Sequence, residues 1–521
     1  MPTVSVTTLA ALLLVVLLYR KWYIRKYETL PLPPGPPRRW FVGNLLDFPT
    51  SRPWLKFRDW CNEYGGLIYI DLPFKPVIVV GSVKVANDLL VGRSNIYSDR
   101  PYSTMLDVLG WSWAFSAMPY NSTWRTHRRL FHDHFNRSVI QEYQPIQLEE
   151  THSVLMRMLH SPHLAREHIR SLPGSTIMRI VYGARSASEM REYVNLAESA
   201  MVAARQLLIP GAFLAELFPF LRHIPSWMPG GATRRFAEKF RATVQRLRNQ
   251  PFNEVKQAMA EGKAIPSVAY RLITELQDDE GKMTKEAEDA VRDVSGTAYG
   301  AASDTTTAAA EAFVLAMAMH PDVQRKAQEE LDRVVGLSRL PDFGDLESLV
   351  YLRAVFMETL RWMPTIPTGV PHALSEDDVY EGYWVPKDSL IINAWAMLHD
   401  PEDYPDPYTF KPERFLDQDG NIDPSVLDPT TILFGFGRRI CAGLDFAETT
   451  LNIFMASMLH VYEMKPGVDE DGDPVVLSGE GSDEAICFPT VFPRHIKPRS
   501  AQAERLIRDI ALPEEFNDVT I

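Results

Sequence analysis

Phe434 to Gly443 reads FGFGRRICAG, and the interpretation of the whole chain turns on it. One of only three cysteines in 521 residues sits here, in a turn crowded with glycine and arginine. From Leu444 to His460 the sequence has amphipathic spacing, so Cys441 is expected at the mouth of a helix. A helix N-terminus presents unpaired N–H groups and the positive end of the backbone dipole, both of which favour thiolate over thiol. The glycines let amides turn toward the sulfur, and Arg439 adds a nearby cation. Such a cysteine suits either a nucleophile or a metal ligand. A nucleophile needs a base, and this segment has no histidine, although one could approach in space. The run GFGRRI begins like a dinucleotide-binding loop, but Ile440 stands where the third glycine belongs and no strand with a partner acid follows.

Cys61, Cys441 and Cys487 lie far apart, so neither a disulfide framework nor a zinc ribbon is expected. A composition of 45% hydrophobic and 23% charged residues is that of a globular chain with a large core. The formal charge of −13 argues against nucleic acid as a partner, since phosphate binding needs a basic face.

The N-terminus carries no charge from Val4 to Tyr19. A helix of about 16 residues covers roughly 24 Å of a ~30 Å hydrocarbon core, and Trp22, Tyr23 and Ile24 extend it while Arg20 and Lys21 snorkel. The basic residues follow the apolar run and no small-residue cleavage site comes after, which favours an anchor over a signal peptide. Arg20, Lys21, Arg25 and Lys26 then place the remainder in the cytosol. The expected organisation is a membrane anchor over 1–26, a stiff proline-rich spacer over 27–40, one catalytic domain over 41–500 and a C-terminal tail over 501–521.

Past the spacer, GLIYIDLPFKPVIVVGS predicts two short strands joined near Pro73 to Pro76. Helical periodicity then dominates: Leu148 to His160, Ser188 to Leu208, Thr233 to Glu261 with a break at Pro251, Glu286 to His320, and Val323 to Val335. The fold class expected is mainly α with small β-sheets.

The pattern Phe434, Gly437, Arg439, Cys441 and Gly443 resembles the haem-binding signature of the cytochrome P450 superfamily of haem-thiolate monooxygenases. Three further segments match that family in order. Glu358 and Arg361 in ETLR stand three apart on one helical face, and Arg414 in PERF completes what looks like the family's structural triad, which locks the cysteine loop. The run YGAASDTTTAAAEAF puts an acid and three threonines in a helix interior, where Thr305 can bond back to Ala301 and open a polar groove. Ala302 stands where the family usually has glycine. In NSTWRTHRRLFHDHF, Trp124 and Arg128 share one face, and Asn121 fits a glycosylation site that a cytosolic placement leaves unused.

The resemblance implies a cytochrome P450 fold behind a single N-terminal transmembrane helix, and haem b (iron protoporphyrin IX) with Cys441 as axial thiolate. It also implies cofactor contacts from Phe434 and propionate contacts from Arg100, Trp124, Arg128, His372 and Arg439. Asp304 and Thr305 would handle protons, Asp304 linking to solvent. A pocket of mainly apolar segments, Tyr102 to Trp113, Leu207 to Phe213, Tyr299 to Ser303, Ile366 to Val370 and Cys487 to Val491, implies a lipophilic small molecule. The overall pattern is most similar to fungal microsomal members that act on secondary metabolites, with terpenoids, polyketides and indoles all open. The chain has no nicotinamide or flavin loop, so electrons would come from an NADPH-cytochrome P450 reductase; Arg125, Arg129 and Arg137 are its expected docking patch. The implied location is the endoplasmic reticulum membrane, with the catalytic domain cytosolic. Two other readings stand beside this one: a reductase-independent haem-thiolate isomerase or dehydratase, and a non-catalytic haem- or lipid-binding protein.

Overall fold

The apolar runs predicted as strands pair antiparallel as β1 (Leu67–Ile70) and β2 (Val77–Val80), with Leu67 opposite Val80 and all eight residues buried. Burial on both faces explains the unbroken apolar character. The sheet is completed from far along the chain. Of β3 (His372–Ala373), β4 (Asp378–Tyr380), β5 (Tyr383–Val385) and β6 (Ser389–Ile392), β6 runs parallel to β2 and β3 lies outside it. β4 and β5 form a separate hairpin, as do β7 (Tyr462–Pro466) and β8 (Arg494–Pro498). This computed structural model describes residues 30–511, apart from 41, 74, 185, 208, 210, 211 and 388.

Helices build the rest. Those used below are α1 (Ser122–Phe135), α2 (Arg137–His160), α3 (Ala165–Tyr182), α4 (Ala187–Leu207), α5 (Ala232–Ala260), α6 (Lys285–Met319), α7 (Val350–Trp362) and α8 (Leu444–Val461). α6 is the axis of the molecule, with α3, α4, α5 and α8 packed around it. Its C-terminal half, including Phe313 and Val314, joins a core with α7 and α8, and its N-terminal half, including Val294 and Tyr299, joins a second core with α4 and α5. The mainly helical fold with small sheets is therefore as expected.

Four expectations need adjustment. The break at Pro251 does not occur: α5 runs on with Pro251 buried inside it. Proline removes one helical hydrogen bond, and the buried flank of Val244, Leu247, Phe252 and Val255 holds the helix across that gap. α2 likewise passes through Pro145 and begins eleven residues before the expected Leu148, at Arg137. The described part of the proline-rich stretch does not stand clear of the domain. Trp384 N–H donates to the Pro31 carbonyl (2.8 Å), Tyr69 N–H to that of Pro34 (2.9 Å), and a Cβ on Gly35 would lie 2.2 Å from the Tyr69 carbonyl oxygen. Sheet edges need partners, and this segment supplies them. At the other end, residues expected to begin a tail form the helix Ala501–Arg508, with Ala503 and Ile507 buried in the core.

Among the described residues no helix is long and apolar enough to cross a membrane. The expected anchor lies outside the described residues.

Candidate active site

Two glycines shape the cysteine loop. Gly435 and Gly437 adopt φ of 81° and 57°, and a Cβ on Gly437 would lie 2.0 Å from the Leu90 carbonyl oxygen. Gly443, expected to bend the loop as well, has an ordinary φ of −97° and serves as the N-cap of α8. The Cys441 N–H donates to the Phe434 carbonyl at 2.7 Å and closes the turn, with α8 starting three residues later. By surface area Cys441 is exposed, yet burial pushes its thiol pKa up, opposed by the Gly443 amide and the Arg128 cation. Both hold together when the sulfur faces an interior surface walled by protein. Among the described residues no histidine hydrogen-bonds this cysteine, so the nucleophile has no base here and the ligand reading gains.

Beside the loop, cations gather. Arg439 donates to the carbonyls of Ser98 (2.7 Å) and Met118 (2.8 Å), with its guanidinium carbon 4.3 Å from the Trp124 ring centroid. Arg100 donates to the carbonyls of Val370 and Pro371, both at 2.7 Å. A backbone bridge between Asp99 and Ala373 sets Arg100 next to His372, whose Nδ1 lies 2.8 Å from the Tyr97 carbonyl oxygen. Among the described residues the Arg128 side chain makes no hydrogen bond. Burial lowers Arg100 to about 9 and Arg439 to about 10, and it lowers Arg128 and His372 too. Arg439 and Arg128 add mutual repulsion, and Asp99 is the one carboxylate that raises Arg100 and Arg439.

Three guanidiniums with so little counter-charge, held in a protein interior, call for an anion. A thiol on one side and this cationic cluster on the other fit an iron macrocycle with acidic substituents. Trp124 and His372 sit within the cluster, whereas Arg438, next to Arg439, turns outward to the Tyr120 hydroxyl (2.7 Å). Asp99, which accepts from the backbone N–H groups of Arg100 and Tyr120 (both 2.8 Å), went unnoticed in the sequence. Its only signal there is its position before Arg100.

The expected groove lies mid-way along α6. Thr305 Oγ1 donates to the Ala301 carbonyl at 2.9 Å, and Ser303 and Thr307 likewise bond four residues back. Ala301 is exposed and Thr305 half-buried, between long stretches of the helix that are buried. Asp304 is not in contact with solvent: its side chain is 4% exposed, and Oδ2 lies 3.1 Å from Arg205 Nε on α4. Neither atom completes a hydrogen bond, so the contact is ionic without alignment. Burial raises the Asp304 carboxyl to about 6, with Arg205 and Arg170 pulling down and Glu198 and Glu484 pushing up. Arg205 carries no local sequence signal, since a spacing of about a hundred residues encodes no contact.

The Glu358, Arg361 and Arg414 triad forms as expected. Arg361 grips Glu358 through Nε (2.7 Å) and Nη2 (2.9 Å), Arg414 Nε adds 3.1 Å, and the side chains are 0%, 0% and 6% exposed. The remaining guanidinium donors hold the carbonyls of Leu398, Pro405, Asp406 and Pro407, so the triad fastens the segment before the cysteine loop rather than the loop itself. Arg125, Arg129 and Arg137 are all exposed. Asn121 is the N-cap of α1, its side chain accepting the Trp124 N–H at 2.9 Å.

Comparison with known proteins agrees with this geometry. The family model Cytochrome P450 matches residues 33–477. The chain is 38% identical over 485 residues to cytochrome P450 monooxygenase COX1 of Coprinopsis cinerea, covering 92% of this chain and 93% of that protein. It is 40% identical over 489 residues to cytochrome P450 monooxygenase 98 of Postia placenta, with 93% of each covered. Against cytochrome P450 monooxygenase ple1 of Rhodocybe pseudopiperita the identity is 39% over 492 residues, with 94% and 93% covered. A glycine-bent cysteine turn, three arginines with little counter-charge beside it and a match along nearly the full length lead to one assignment: this chain belongs to the cytochrome P450 family and is a haem-thiolate monooxygenase.

Proposed function

We propose that the chain inserts one atom of O2 into a lipophilic small molecule, a fungal secondary metabolite of terpenoid, polyketide or indole type, using two electrons from NADPH through a separate reductase. The observations that carry this reading are the cysteine loop, with Arg128 as the cation beside Cys441, and the hydroxyl groove at Ala301 to Thr305. Haem b would be held by the Cys441 sulfur, with Phe434 beside it and its propionates met by Arg100, Trp124, Arg128, His372 and Arg439. Bound there, it supplies oxygen activation and the transfer of one oxygen atom to substrate.

The chain's own residues position and protonate. Thr305 Oγ1, anchored on the Ala301 carbonyl, presents a hydroxyl to the groove, and Asp304, raised to about 6, exchanges protons near neutral pH. The core packed on the N-terminal half of α6 is rich in buried aromatic rings, Trp111, Trp113 and Tyr299 among them, and such surroundings favour an apolar substrate. The exposed cations Arg125, Arg129 and Arg137 offer a face to an acidic reductase surface. Residues 1–26 would hold the domain on the cytosolic side of the endoplasmic reticulum membrane.

The test is the carbon-monoxide difference spectrum of the reduced protein, followed by NADPH and O2 consumption with added reductase. A red-shifted Soret band and substrate-dependent consumption are expected. Cys441→Ala should lose both, whereas Cys61→Ala should keep both. No band overturns the assignment, and a normal band with no reductase-dependent turnover points to the isomerase or the binding protein instead.

A further inference from the structure

We propose that Glu484, on the loop over residues 481–490, sets how firmly Arg205 holds Asp304, so that proton supply at Thr305 depends on the seating of that loop. The proposal rests on the reading of Asp304 as a proton carrier.

The geometry is a shared guanidinium. Arg205 Nη1 donates to Glu484 Oε2 at 3.1 Å, a proper hydrogen bond, while Nε lies 3.1 Å from Asp304 Oδ2 without forming one. A planar fork aligned on one carboxylate cannot also align on another at an arbitrary angle. The fork is seated on the loop itself, its carbon 5.3 Å from the Phe488 ring centroid, with Arg170 at 5.8 Å from the same ring. The loop is clipped elsewhere: Ser482 N–H donates to the Phe488 carbonyl (2.7 Å), Cys487 N–H to that of Thr365 (2.9 Å), and Arg52 pairs with Glu480 (3.1 Å) and Asp483 (2.8 Å). Three elements thus meet at one cation: α4, which carries Arg205, α6, which carries Asp304, and the loop.

The charged groups facing Asp304 are Arg205 and Glu198 from α4, Arg170 from α3 and Glu484 from the loop, with Arg170 itself paired to Glu198. Glu484 has a side-chain exposure of 41%, so it is the member free to leave. With the loop seated, Glu484 claims the fork and Asp304 takes up and releases a proton near neutral pH. When Glu484 withdraws, the fork turns to Asp304, aligns with it and keeps it ionised and immobile. Arg205 is therefore a positioning residue, and Glu484 its competitor. Proton supply is on only while Glu484 is seated on Arg205.

The test uses full-length holoenzyme. An infrared difference titration follows the Asp304 carboxyl, identified as the band missing from Asp304→Asn. In Glu484→Gln its midpoint should fall from about 6 to about 5, which lowers the protonated fraction at pH 7 about tenfold. Arg205→Gln should raise it, and Glu484→Asp should restore it. With reductase and NADPH, Glu484→Gln should send a larger share of electrons from product to hydrogen peroxide while the substrate-binding spectral shift stays unchanged. An unmoved midpoint in Glu484→Gln overturns the proposal. Unchanged coupling in Asp304→Asn overturns instead the reading of Asp304 on which it rests. Because Glu484 is a surface residue, misfolding is not the expected consequence of its substitution.

Discussion

Glu358 and Asp304 are both buried acids beside arginine, and they are built differently. Glu358 accepts from Arg361 twice, from Arg414 and from the Lys411 N–H (2.7 Å), with both of its oxygens engaged. Asp304 has one arginine in contact and a buried oxygen without a hydrogen bond. A carboxylate whose oxygens are both bonded is part of the frame. One left half-bonded in a low-dielectric interior costs stability, and such sites persist where a proton must move. The difference separates an acid fully bonded into the frame from one left half-bonded within a single chain.

The largest effect that would break this contrast is at Glu358. Glu358→Ala leaves two buried guanidiniums without a carboxylate, a change of about 3–5 kcal/mol, and we expect little folded protein and no thiolate carbon-monoxide band. A variant that melts within a few degrees of wild type would show that the triad is not the frame. Next comes Asp304→Asn, which should fold and keep the band while substrate oxidation falls roughly a hundredfold, read as product per NADPH.

The same acid predicts a smaller effect on stability. Its folded pKa, about 6, is above the unfolded 3.8, so the native state binds more protons between these values and stability falls as pH rises through that window. Relative to Asp304→Asn, wild type should lose about 3 kcal/mol across it and be level on either side, as measured by denaturant unfolding at stepped pH. The smallest change in stability belongs to Thr305→Val. It removes the Oγ1 bond to Ala301, should shift stability by less than about 1 kcal/mol, and should raise hydrogen peroxide release. Thr305→Ser should restore coupling, and a Ser variant as leaky as Val would remove the hydroxyl from the proton path.

The site was legible where neighbours in sequence become neighbours in space. Cys441 at a helix mouth, Thr305 bonded to Ala301, and Glu358 with Arg361 all follow from turns and helical periodicity. Pro251 misled because a local rule was outweighed by the buried face of α5. The proline-rich spacer misled for a related reason: its stiffness is local, but the sheet edge that receives it comes from Tyr69 and Trp384. The crowding of Arg100, Arg128 and Arg439 has no local signal, because Asp99, Tyr97 and Ala373 bring distant segments together to make it.

Periodicity, turn chemistry and a single signature thus account for the helical class, the cysteine loop at a helix mouth, the hydroxyl groove and the Glu358–Arg361 pair, since each is encoded within a few residues of itself. Packing alone decided that Asp304 faces Arg205 and Glu484 rather than solvent. That contact joins α4, α6 and a loop about 180 residues further on, and a charge pair across such separations has no period to betray it.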